Sequence, residues 1–184
     1  IPYNYLEEYE QANLDKEIDF ICNNIKCKFR QNYDKLRVRN GIRQMYSEYR
    51  VGSFLEKNQG KYDAAVICGP DYYLANNINL NDFEQSLVNN QVYTSQVNDA
   101  QGYTNGFYFG KISRLIPILK RYKELKYYLP TDKDYESVLK RSFEKNNISR
   151  NKTNIVFFKV RANKDIHWQG NQRTDFLTKT EKEN

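Results

Sequence analysis

The chain has 184 residues, of which 39% are hydrophobic, 15% aromatic and 28% charged, and a formal net charge of +6. That length suits one domain with a single core. Four Pro and eight Gly exclude collagen-like and Pro-rich disorder, and no apolar run approaches the ~20 residues of a bilayer-spanning helix. The three cysteines, Cys22, Cys27 and Cys68, are an odd count without a CxxC pair. They argue against a disulfide framework or zinc knuckle and for a reducing, cytoplasmic compartment. The opening Ile1-Pro2-Tyr3-Asn4-Tyr5 is neither a signal peptide nor a Met start, as expected of a processed product or of part of a longer chain.

Residues 14–24 carry helical spacing (Leu14, Ile18, Ile21, Cys22), and Ile25-Lys26-Cys27-Lys28-Phe29 alternates like a short strand. A long helix is predicted over residues 35–58, where Leu36, Val38, Ile42, Met45, Tyr46, Tyr49 and Phe54 recur at three- and four-residue steps. Gly60 suits a left-handed cap just beyond it. Tyr62 to Cys68 is a continuous apolar run after Asp63, the pattern of a central strand buried on both faces. Gly69-Pro70 ends it and delivers Asp71 at its carboxyl end, the edge where open α/β sheets bind ligands.

A short helix is expected over residues 81–88 with Asn81 as N-cap, then a strand at Val92-Tyr93-Thr94, a polar loop over residues 95–105 and a strand at Phe107-Tyr108-Phe109. An amphipathic helix follows to about Tyr128, with Pro117 either near its start or kinking it. Thr131 and Asp134 resemble a capping box for a helix through Asn146, whose core face is Tyr135, Val138, Leu139, Ser142 and Phe143. Residues 155–160 form a further apolar strand, and the pattern dissolves into a polar tail from about Asp165. Alternating strands and helices predict a single α/β domain over residues 1–165, with residues 166–184 as the tail.

Charge is unevenly placed. Residues 1–24 hold Glu7, Glu8, Glu10, Asp15, Glu17 and Asp19 against Lys16, whereas residues 111–164 are strongly basic. That field suits a polyanion or a pyrophosphate-bearing ligand, or it is a set of solvated faces. A nucleic-acid binder ordinarily sets its cations among stacking aromatics in a recognisable module, and none is legible here.

Asp71 is the strongest single candidate for chemistry. A carboxylate after a strand can bind a divalent cation or sugar hydroxyls; the alternative is a turn Asp that caps its own backbone. A second carboxylate two residues on is missing, because Tyr72 and Tyr73 follow. The stretch from Asn98 to Gly110, a polar loop entering an aromatic strand, suits either a sugar site or turn formers followed by core aromatics. Glu136 is either a first-turn Glu favoured by the helix dipole or a carboxylate aimed into a cleft. His167 is the only His, which makes a Ser-His-Asp triad and a His-rich metal site improbable. Neither GxGxxG nor GxxxxGK[ST] occurs.

The order of these elements resembles a family of nucleotide-sugar-dependent glycosyltransferases found in large DNA viruses, microbes and algae. The resemblance runs through Arg43-Gln44-Met45-Tyr46, Lys61-Tyr62-Asp63, Gly69-Pro70-Asp71 and Val92-Tyr93-Thr94. It continues through Thr104 to Gly110, Arg121-Tyr122, Glu136-Ser137-Val138-Leu139 and Phe158-Lys159-Val160-Arg161, covering residues 35–163. Gly69 stands where the family commonly has Arg, and Gly106 where it commonly has an acidic residue.

The resemblance implies a Rossmann-like three-layer α/β sandwich of the GT-A-like kind with a mixed, mostly parallel sheet. The strand and helix that usually open the family, and help cradle the nucleotide, have no copy before residue 14; the fold is therefore pared down or the chain a fragment. The implied reaction moves a sugar from a nucleoside-diphosphate sugar to a hydroxyl of a glycan or protein acceptor, with Mn or Mg as the implied divalent cofactor. In that scheme Asp71 anchors the donor through the metal or its hydroxyls, and Tyr103 and Asn105 contact the sugar. Asp99 or Glu136 is the catalytic carboxylate, and Arg161 approaches the diphosphate. A degenerate module that binds nucleotide sugar or glycan without transfer is the first rival, and a basic nucleic-acid-binding domain the second.

Overall fold

A computed structural model describes residues 11–25, 35–97, 99, 102–132, 134–160 and 166–167. Helix α1 (Gln11–Asn24) and helix α2 (Lys35–Lys57) follow the predicted periodicity. Asp15 and Arg43 join them through a two-pronged ion pair, Nε to Oδ1 at 2.9 Å and Nη2 to Oδ2 at 2.8 Å. The strand expected over Ile25–Phe29 lies, beyond Ile25, outside the described residues. Gly60 takes φ +89°, the left-handed conformation that Gly adopts at little steric cost.

Strands β1 (Ala64–Cys68), β3 (Val92–Ser95), β4 (Phe107–Lys111) and β5 (Arg150–Thr153) form one sheet in the order β1-β4-β3-β5. Strand β2 (Tyr72–Leu74) pairs with β6 (Phe157–Val160), and β6 with β7 (Ile166–His167), in a second sheet. The first sheet is mixed, as expected, but its pairs are not mostly parallel: β1–β4 and β4–β3 are antiparallel and only β3–β5 is parallel. The reason is β4, which returns directly after the loop from β3 and inserts, reversed, between β1 and β3. As a consequence β1, β3 and β5 still point the same way, and their carboxyl ends lie along one edge.

Strand β1 is not the central strand that its apolar run suggested. Among the described residues it pairs only with β4 and forms the edge of its sheet, with Val66 and Cys68 exposed. A continuous apolar run reports that both faces lack polar groups; it carries no information about whether both lateral edges are paired.

Strand β4 is the buried centre. Its Tyr108 side joins Val92 and the apolar sides of α4 (Ile112–Leu119) and α6 (Tyr135–Lys145), including Leu115, Leu119, Leu139 and Phe143. Phe107 and Phe109 point the other way, into a cluster with Tyr93, Ile155 and Phe157 flanked by Phe83 of α3 (Leu80–Val88). Both faces of β4 are thus covered. A third cluster packs α1 and α2 against α5 (Leu125–Tyr128) and α6 through Leu14, Ile18, Ile42, Met45, Tyr128 and Val138.

Helix boundaries depart from expectation at two N-caps. Asn79, not Asn81, caps α3, its side chain accepting from the Asn81 N–H at 2.9 Å. Asp134 rather than Thr131 caps α6, and the box closes reciprocally through Ser137. Thr131 instead donates its hydroxyl back to the carbonyls of Tyr127 and Tyr128, finishing the preceding turn. Pro117 sits inside α4 and has no N–H for the carbonyl of Ser113. The α-helix ends two residues later, and a 3-10 segment (Lys120–Glu124) bridges to α5.

A buried polar trio ties these layers together. Arg121 from the 3-10 segment is 1% exposed, and its Nη1 lies 2.6 Å from Oε2 of Glu48 on α2. The Tyr108 hydroxyl donates to the same oxygen at 2.6 Å. Gln44, one turn earlier on α2, donates to the other Glu48 oxygen at 3.0 Å and also to the Asn105 carbonyl at 3.2 Å. Removing Glu48 leaves a buried guanidinium without its counter-charge, whereas removing the phenol oxygen deletes one hydrogen bond. Glu48→Ala is therefore expected to lower the unfolding free energy by about 3–5 kcal/mol and Tyr108→Phe by about 1 kcal/mol, measured by urea denaturation.

Candidate functional site

The carboxyl ends of β1, β3 and β5 and the amino end of β4 share one edge, and the sequence candidates within the described residues lie along it or on the start of α6 beside it. Cys68 pairs with Phe107 in register, so the turn after β1 and the loop before β4 meet there. The Asp71 carbonyl accepts the Val160 N–H at 2.8 Å, and the Tyr72 N–H returns to the Gly69 carbonyl at 3.2 Å. Asp71 is thereby fixed by its backbone. Its half-buried carboxylate has no hydrogen-bond partner among the described residues and caps none of their N–H groups, so the structure does not give it the turn-capping role.

Tyr72 fills the space between the two segments. Its ring packs on Phe157 with centroids 4.8 Å apart, and the Lys159 ammonium lies 4.8 Å from its centroid. A Cβ on Gly106 would lie 2.4 Å from the Phe157 ring and 2.9 Å from the Tyr72 ring; one on Gly69 would lie 3.1 Å from both Tyr72 and Oδ1 of Asp71. The glycines at 69 and 106 thus accommodate one aromatic ring. The absence of a side chain at 69 also leaves the Asp71 carboxylate room to lie over that turn.

Asp99, Tyr103 and the backbone of Glu136 form a second group. Asp99 Oδ1 pairs with Arg150 Nη2 at 2.5 Å and Oδ2 with Lys152 Nζ at 3.4 Å, and Asp99 Oδ1 accepts the Thr104 N–H at 3.3 Å. Its carboxylate therefore anchors the loop. Arg150 Nε also donates to Thr94 Oγ1 at 2.6 Å, and the guanidinium lies over the Tyr103 ring at 4.2 Å. Tyr103 meets Phe143 edge-on at 5.1 Å, and its N–H donates to the Glu136 carbonyl at 2.9 Å. A Cβ on Gly102 would fall 1.9 Å from that carbonyl oxygen, so the loop rests directly on the first turn of α6. The Tyr103 ring is engaged in this packing. Asn105 stands between the two groups, held through its carbonyl by Gln44. Arg161 lies outside the described residues.

Among the described residues no group of three or more His, Cys, Asp or Glu side chains could hold a metal ion. Asp71 alone offers a single carboxylate, too few donors for Mn or Mg without oxygens brought by a ligand. None of the described helices is long and apolar enough to cross a membrane. Compared with known protein families, curated proteins and solved structures, the chain matches none.

Sequence reasoning assigned no role to Tyr72, Lys159, Arg150 or Gln44. Gln44 was marked by its place in the Arg43-Gln44-Met45-Tyr46 motif and one turn before Glu48, neither of which says what it touches, and Arg150 sits in a polar stretch without periodicity. Because the contact at Gly106 involves two packed rings while that at Gly69 involves a surface turn, Gly106→Ala is expected to destabilise by about 1–3 kcal/mol and Gly69→Ala by less, judged from thermal melts of the two variants.

Proposed function

We propose that the chain is a nucleotide-sugar-dependent glycosyltransferase domain, GT-A-like in its layering, that binds its donor where β1, β3 and β5 end. One observation carries this reading: Asp71 is fixed at that edge by its backbone while its carboxylate satisfies no group of the described fold. An acceptor-only side chain so placed suits ligand hydroxyls. Helices α4 and α6 on one face of the sheet, with α3 and the small sheet on the other, are the outer layers of a Rossmann-like sandwich in this reading.

Asp71 accepts from ribose or sugar hydroxyls, and Asn105 offers its amide to the sugar. The acceptor oxygen bonds to the anomeric carbon as the bond from that carbon to the diphosphate oxygen breaks, and the acceptor's proton passes to a carboxylate. Asp99, at the loop, or Glu136, in the first turn of α6 beside it, takes that part. Charge growing on the diphosphate is met by Lys159 and, from the resemblance, Arg161. A Mn or Mg ion bound through Asp71 and diphosphate oxygens would add the same neutralisation.

A second reading, binding without transfer, is favoured by the Asp99 ion pairs and by Gly106 in the acidic position. Thermal melts with a panel of nucleoside-diphosphate sugars, with and without manganese, test both. One donor at about a hundred times its Kd is expected to raise Tm by roughly 5–10 °C. With that donor, Asp71→Asn should lower nucleoside-diphosphate release by about a hundredfold while its ligand-free melt stays unchanged. Full activity in that variant removes the assignment. A Tm shift without turnover selects the second reading, and a flat panel rejects both.

A further inference from the structure

The second half of α2 and the 3-10 segment enclose a cleft of about 660 Å³, well away from the sheet edge. Gln44 touches Asn105, whereas Lys57 lies thirteen residues further along the helix, about 20 Å at 1.5 Å per residue. Arg50, Lys57, Lys120 and Lys123 line the cleft against one carboxylate, Glu56. Lys120 pairs with Glu56 at 2.5 Å. Lys57 and Lys123 have no carboxylate partner among the described residues, and Lys123 lies 5.2 Å from the Tyr49 ring centroid.

A neighbouring cleft of about 530 Å³ shares Tyr49 and Lys123 with the first. Its walls are mainly apolar, with Ile21, Ile25, Tyr46, Tyr122 and Leu125, and Glu17 and Lys126 complete its rim. The rings of Tyr46, Tyr49 and Tyr122 brace one another at 5.2–6.1 Å. The Tyr122 hydroxyl is already committed to Glu17 at 2.8 Å, so that side presents ring faces and aliphatic groups. The hydrogen bond from Lys120 holds the Glu56 carboxyl below its ordinary pKa, and a hydrogen bond from Ser53 and then Lys123 lower that of Tyr49.

We propose that this two-lobed cleft binds a phosphate-bearing amphiphile, with the phosphate among Lys57, Lys120 and Lys123 and the apolar portion against Tyr46, Tyr49, Tyr122 and Ile21. Three lysines, Lys57, Lys120 and Lys123, against the carboxylate of Glu56 leave a cationic surplus that suits a multiply charged anion, and a phosphate monoester carries roughly −1.5 to −2 at neutral pH. The phosphate displaces Glu56 from Lys120. The apolar lobe begins where the cationic one ends, which selects a ligand with both parts over either part alone. This site is independent of the donor-binding reading and stands or falls separately.

Calorimetric titration of the whole chain with octyl phosphate (below its micelle concentration), inorganic phosphate and octyl glucoside tests it. Octyl phosphate is expected to bind about tenfold or more tightly than inorganic phosphate, the gain from burying a few methylenes, and octyl glucoside to show no saturation. The double variant Lys57→Glu/Lys123→Glu, altered at two exposed positions, should lose about tenfold or more in octyl phosphate affinity and keep its circular dichroism spectrum. Sedimentation with phosphatidylcholine vesicles carrying phosphatidic acid shows whether a membrane can present the same phosphate or only a soluble ester does. Equal affinity for octyl phosphate and octyl glucoside, equal affinity for octyl phosphate and inorganic phosphate, undiminished binding by a folded double variant, or no saturable binding at millimolar octyl phosphate would each overturn the proposal.

Discussion

A guanidinium withdrawn from water has to be matched by a negative charge at contact distance, and in this protein that requirement joins three elements distant in sequence. Burial alone drives Arg121 toward losing its proton, but the adjacent Glu48 carboxylate outweighs that effect and raises its pKa above the ordinary value. The Tyr108 phenol moves upward as well, first through burial and then through Glu48, so it remains a neutral donor to that carboxylate. A shift of helix α2, strand β4 or the 3-10 segment would strand a charge in the apolar interior, a penalty that an apolar trio of equal volume would not impose.

That meeting of three elements is what carries the candidate site. Gln44 links the trio to the Asn105 carbonyl, so the position of the loop before β4 follows from the position of α2. On the other side of Asn105 the glycine at 106 admits Tyr72, and the turn holding Asp71 closes over that ring. The Asp71 carboxylate is left unsatisfied by the described fold because every interaction that fixes this turn is made by backbone or by an aromatic ring. The arrangement separates support from contact: Arg150 and Asp99 are consumed in holding the loop, and Asp71 is not.

Helical periodicity made α2 and the buried face of α6 legible, since Ile42, Met45, Val138, Leu139 and Phe143 recur at spacings that only a helix brings together. Asp71 was legible because Gly69-Pro70 terminates a strand immediately before it. Strand order was not. The reversed insertion of β4 depends on pairings across the sheet, and no local window distinguishes an apolar strand at the edge from one in the middle. The caps shifted for a related reason: Asn79 and Asn81, or Thr131 and Asp134, have similar local chemistry, and the choice between them is made by how the preceding segment packs. Tyr72 and Arg150 were invisible as site residues because their roles arise from partners 85 and 51 positions away, Phe157 and Asp99.

Charge placement shows the same division between support and availability. The acidic first helix is answered by α2, where Arg43 and Arg39 take Asp15 and Asp19. Much of the basic segment that follows β4 is answered too: Lys120 by Glu56, Lys145 by Glu124, Arg141 by Asp132 and Arg150 by Asp99. The more exposed pairs, Lys120 with Glu56 and Lys145 with Glu124, contribute about 0–1 kcal/mol each, so their main effect is to cancel part of the positive field along residues 111–164. Lys57 and Lys123, where α2 passes the 3-10 segment, are among the cations without a carboxylate partner in the described residues, and they stand beside a wall of tyrosines that neither the trio nor the sheet edge uses. A uniformly basic surface would attract any polyanion from all sides; cations gathered at a concavity with an apolar annex discriminate by shape as well as by charge.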